Sequence, residues 1–110
     1  MEFKMNGVYY NIVEVEEEMM RANGEETSYY YGQTDWEKNV VMIDKNIGKS
    51  KKRKTLYHEL MHVYIKEFIT TEEINKVNEE IICDLSANAH DIIHEIVEEY
   101  FKNRNIKEGK

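Results

Sequence analysis

The sequence predicts an α+β domain, a small three-stranded and mainly antiparallel sheet packed on two helices, the second of them long. Three observations carry this expectation. The pattern from Gly7 to Asp44 is strand-like, rich in aromatic and β-branched residues, an apolar stripe of helical period runs through the second half, and no proline interrupts any of the 110 residues. Length and composition imply one domain over 1–110, with a sheet half at 1–48, a helical half at 49–102 and a frayed polar tail at 103–110.

The elements follow in order. VYYNIVEV is the first strand, SYYYGQTD the second after the polar NGEE turn, and VVMID the third after the polar stretch TDWEKN. Between the first two, EEEMMRA reads equally as a helical turn or as more strand. In the second half Leu56, Leu60, Val63 and Tyr64 recur at helical spacing and define a helix from Ser50 to Phe68. Thr71 before Glu72 and Glu73 is an N-cap with an acidic first turn, so a second helix is expected there. Its stripe is Ile74, Val77, Ile81, Leu85, Ala89, Ile92, Ile96 and Tyr100, some eight turns.

Composition excludes several function classes. No stretch approaches the roughly 18 apolar residues of a membrane span, and a net charge of -7 disfavours general nucleic-acid binding. The lone Cys83 has no internal disulfide partner, and the opening MEFKMNGVYYNIV has neither the apolar run nor the cleavage site of a signal peptide. A soluble, cytoplasmic protein is the expectation. The basic run KSKKRK, Lys49 to Lys54, reads first as solvated charge, with attraction of an acidic substrate or nucleic acid as the competing reading.

Within the first helix stands HELMH. Residues four apart lie one above the other on a helix, so His58 and His62 face the same side and can share one tetrahedral ion, with Glu59 next along. With four His in 110 residues, chance alone yields this pattern roughly 0.02 times. The competing reading is two half-buried histidines satisfied by hydrogen bonds. A third ligand is sought on the second helix. If the two helices form a hairpin turning at Ile69 to Thr71, the midpoint of the His pair lies about 12 Å from the turn, and Glu80 lies at that height. Asp84, one turn beyond, then reaches the level of His58 and accepts a hydrogen bond from its non-metal nitrogen. Glu79 is the rival ligand, turned about 100° away.

His58, Glu59 and His62, followed by Glu80 and Asp84, resemble the HExxH plus ExxxD arrangement of gluzincin metallopeptidases. The run GQTDWEKNVVMIDKNIGKSKKRKTLYHELMH is similar to that of small phage-associated metallopeptidases and of the ImmA/IrrE-type group, and the chain's size resembles the minigluzincins. The resemblance covers about Gly32 to Ala89. It implies Zn2+ held by His58, His62 and Glu80, Glu59 as general base in peptide hydrolysis, and Asp84 as the orienting carboxylate. By the same resemblance the first helix is the active-site helix, the second the glutamate helix, and Val40 to Asp44 an edge strand that pairs with an extended peptide or protein substrate. A phage or prophage origin is also implied. The family's oxyanion-stabilising His or Tyr has no assigned counterpart: His90 and His94 lie far along the second helix, and no tyrosine, Tyr29 to Tyr31 included, is singled out. The alternative functional reading is a zinc-stabilised binding or regulatory module without proteolytic activity. A third is a metal-free helical interaction protein.

Overall fold

In the computed structural model the described residues are 1–16, 31–69 and 79–108, the side chains of 79–86 and 104–108 excepted. The domain is α+β. Among the described residues its sheet has four strands, β1 (Glu2–Met5), β2 (Val8–Val15), β3 (Gly32–Asp35) and β4 (Val40–Asp44), in the order β1-β2-β4-β3. Two described helices follow, α1 (Lys49–Phe68) and α2 (Glu79–Glu108).

The sheet differs from the three-stranded expectation in two ways. The first is the extra strand β1, whose hairpin with β2 is closed by Asn6 and Gly7 at φ 50° and 82°. Two successive left-handed residues are what a tight type I′ hairpin requires, and Asn-Gly supplies them at least cost. The signal was legible; the four-residue strand EFKM before it is short and half charged. The second is that β2 and β4 run parallel, Asn11 opposite Val40 through Val15 opposite Asp44, so the sheet is mixed. A parallel pair needs a crossover of a dozen or more residues, and 24 separate Val15 from Val40. The segment EEEMMRA lies largely outside the described residues.

The strand order also corrects the edge. Val40–Asp44 is internal, paired with β2 on one side and β3 on the other. Among the described strands the edges are β1 and β3. The apolar run VVMI explains the placement, since a strand covered on both faces is continuously hydrophobic. Val41 and Ile43 are completely buried and Met42 nearly so.

One sheet face packs on α1 and α2. Tyr10, Ile12, Val41 and Ile43 meet Leu56, Leu60 and Val63 of α1 and Ala89, Ile93, Ile96 and Val97 of α2 in one core cluster. The stripe on α2 is shifted from expectation at one place. Ile93 is buried and Ile92 is 37% exposed, so the helix turns its stripe by one residue there. Residues 103–108, read as frayed tail, continue α2 to Glu108. The stripe positions Ile74 and Val77 and the cap Thr71 lie outside the described residues, as do the side chains of Ile81, Cys83 and Leu85.

The basic run opens α1, whose first turn carries no acid and whose cap Gly48 offers no side-chain hydrogen bond. Positive charge there opposes the helix dipole. Two of its residues are instead neutralised by tertiary contacts. Lys52 is buried and pairs with Glu14 of β2 at 2.8 Å, while the Tyr100 hydroxyl of α2 donates to the other Glu14 oxygen at 2.5 Å. Arg53 donates to both carboxylate oxygens of Glu98, at 2.5 and 3.4 Å, and holds that carboxyl below its ordinary value. Lys52 forms a sheltered tertiary clasp, while Arg53 with Glu98 forms a half-exposed one.

Removing Lys52 takes the cation from a mostly sheltered Glu14 carboxylate, which keeps the Tyr100 hydroxyl. Lys52→Ala should therefore lower the unfolding free energy by about 3 kcal/mol, read from urea melts. A loss below half a kcal/mol would show that Glu14 finds water or another partner and that the clasp does not hold the three elements together.

Candidate metal centre

Helix α1 sorts its side chains by angle. At 100° per residue Leu56, Leu60 and Val63 fall within an arc of about 60°, and their complete burial fixes that arc against the sheet and α2. His58 and His62 then lie about 150° round from it and are exposed. Glu59, one residue from His58 and so 100° away, turns toward the sheet and is only 7% exposed. Three consecutive functions of the helix thus follow from its phase.

The two imidazoles converge. Their Nε2 atoms stand 3.1 Å apart, one donating to the other, with ring planes at 82° and centroids at 4.7 Å. Two nitrogens bound to one tetrahedral zinc at about 2.05 Å would stand about 3.3 Å apart, so the pair as placed suits such an ion. Soft or borderline cations with a taste for imidazole fit this donor set; calcium or magnesium, which want oxygens, do not.

Glu59 is held by strand β3. The Thr34 hydroxyl donates to Glu59 Oε1 at 2.8 Å. Gly32, two residues earlier on the same face, lets the strand come this close: a Cβ there would lie 2.5 Å from Thr55 Cγ2, 3.1 Å from the Met42 carbonyl oxygen and 3.3 Å from Glu59 Cγ. β3 therefore runs alongside α1 in the same direction. Its contacts step from Tyr31 near Lys51, through Gly32 at Thr55 and Thr34 at Glu59, to Trp36 beneath Lys66.

Between α1 and β3 opens a cleft of about 590 Å³. His58, Glu59 and His62 line it together with Thr34, Gly32, Gln33, Tyr31, Trp36, Lys54 and Thr55. Sequence reasoning placed the HELMH residues here but missed the strand's share. The signal was the alternation in Gly32-Gln33-Thr34, which puts a glycine and a hydroxyl on one face of the strand. Of the tyrosines considered as oxyanion donors, Tyr31 lines the cleft, its hydroxyl accepting from Lys51 Nζ at 3.1 Å. His94 lies on the far flank of α1, where its Nδ1 meets the Tyr57 hydroxyl at 2.5 Å.

The third ligand stands differently. Glu80 and Asp84 are on α2 as expected, and their side chains lie outside the described residues. The two helices run antiparallel, and the turn between them lies outside the described residues. Arg53 faces Glu98 and Tyr57 faces His94, an antiparallel register that carries on to Ala89 opposite His62. Among the described residues no third His, Cys, Asp or Glu completes a metal group with His58 and His62.

No helix among the described residues is long and apolar enough to cross a membrane. No protein-family model, curated protein or solved structure matches the chain.

The close approach of β3 to α1 can be tested by a single methyl group. Gly32→Ala should lower the unfolding free energy by roughly 1–3 kcal/mol, since backbone as well as side chain must move. Thr55→Ser in the same chain should recover part of that loss by removing the nearest methyl. Denaturant melts that leave Gly32→Ala equal to the parent would mean the strand stands farther off.

Proposed function

We propose that the chain is a zinc-dependent peptidase in which His58 and His62 hold the metal, Glu80 is its third ligand, and Glu59 is the general base. The observation that carries this reading is the convergence of two imidazole nitrogens, 3.1 Å apart, beside a sheltered carboxylate in one cleft. A buried carboxylate next to an exposed histidine pair is what a hydrolytic site needs and a purely structural one does not. Glu80 and Asp84 enter on the HExxH and ExxxD spacing alone, with Asp84 as the orienting partner of His58.

When bound, the zinc supplies Lewis acidity and eases the loss of a proton from water. The chain's own groups do the remaining work. His58 and His62 bind from one face of α1 and leave the cleft side open. Glu59 accepts the proton at its carboxylate and returns it to the departing amine, a role worth about 10²–10⁴ in rate.

The substrate is a peptide or protein segment in extended form, and the pairing strand is β3. Asp44 N donates to the Tyr31 carbonyl, so Tyr31, Gln33 and Asp35 turn their backbone groups toward β4. Gly32 and Thr34 turn theirs the other way, along the cleft edge where an added strand would pair. The lone Cys83 and the acidic surface suit a cytoplasmic setting.

Incubation of the zinc-loaded protein with a mixed peptide library, read by mass spectrometry, should yield defined cleavage products. Glu59→Gln should keep the zinc and lose cleavage by about 10²–10⁴. Zinc-loaded wild type that cuts nothing would reject the reading and favour a zinc-stabilised binding module, whereas a Glu59→Gln variant that cuts as well as wild type would reject Glu59 as the base.

A further inference from the structure

The geometry points to Thr34 as the positioning residue of the base, with Gly32 as the spacer that makes its reach possible. This inference rests on the peptidase reading, and it assigns to β3 a role beyond substrate pairing.

Glu59 is 7% exposed, so its carboxylate has given up most of its water and depends on protein donors. Thr34 Oγ1 is such a donor, at 2.8 Å from Oε1. A hydroxyl that donates to one carboxylate oxygen fixes the plane and rotation of the group while leaving Oε2 to take a proton. Without it, a Glu side chain with three rotatable bonds has no fixed aim, and misplacement by about 1 Å can cost 10²-fold in rate.

The reach is a matter of strand height. Gly32 and Thr34 lie on the α1 face of β3, and a Cβ at Gly32 would stand 2.5 Å from Thr55 Cγ2, so a larger residue there must displace Thr55 or move the strand off the helix. Moving it off would lengthen the Thr34 to Glu59 contact as well. Meanwhile the Thr34 backbone N–H and C=O turn away from β4, toward the edge that an extended substrate would meet. One residue thus touches both partners of the reaction: its amide group faces the substrate strand and its hydroxyl faces the base. A peptide that pairs with β3 is registered against the same residue that aims Glu59.

The test uses the full chain and two independent readouts. In the zinc-loaded protein, Thr34→Val should lower kcat about 10–100-fold with KM and zinc content unchanged, and Thr34→Ser should restore kcat to within about threefold. In the zinc-free protein, Thr34→Val should lower Tm by about 5 °C, and by much less when Glu59 is already alanine. The inference is overturned by a Thr34→Val variant that cuts as fast as wild type, by a Thr34→Ser variant as slow as Thr34→Val, or by equal Tm losses in both backgrounds. Failure of the peptidase reading shows separately, in a wild type that cuts no peptide at all.

Discussion

The rotational phase of α1 is the constraint on which the rest depends. Leu56, Leu60 and Val63 are wholly buried, and a helix that packs three such residues into a sheet-and-helix core cannot rotate without opening a cavity. Once that arc is fixed, every other position has its direction. The histidines face out, Glu59 and Thr55 face β3, and Arg53 and Tyr57 face α2. The candidate metal centre is thus not a separate construction placed on the fold. It is the remainder of a helix whose core face was determined by packing.

Polar contacts then fix what sits on each flank. On one side the clasp of Glu14, Lys52 and Tyr100 joins β2, α1 and α2, and the pair of Arg53 with Glu98 sets the helices in antiparallel register. Tyr57 and His94 repeat that register one turn along. Charged groups at these places serve specificity of arrangement, which the interior apolar contacts alone would leave looser. On the other side β3 meets α1 through the close Gly32 to Thr55 contact and the Thr34 to Glu59 hydrogen bond, flanked by Lys51 with Tyr31 and Lys66 over Trp36. The cleft lies along that flank.

Much of this was legible in the sequence, and the failures have identifiable causes. The α+β class, α1 to within one residue of its observed start, and the outward His pair beside an inward Glu follow from helical periodicity, which is local and strong. The strand count failed at EFKM, where four residues give too short a pattern, although Asn6-Gly7 marked the turn. The edge strand failed because sequence order is not sheet order: β4 follows β3 in the chain and nonetheless lies inside it, through its parallel pairing with β2. The height of Glu80 rests on where the hairpin turns, which lies outside the described residues, and each residue in such a connection displaces a helical register by about 1.5 Å. Thr34 was visible as part of a strand motif, but its partner lies 25 residues away and only the folded strand brings them together.

The central claim is that His58 and His62 bind a zinc ion, and elemental analysis of the purified protein tests it most directly. About one zinc per chain after incubation with zinc at neutral pH, lost in both His58→Ala and His62→Ala while the fold is retained by circular dichroism, is the predicted result. A folded wild-type chain that takes up no zinc, or His58→Ala holding as much zinc as wild type, would contradict it.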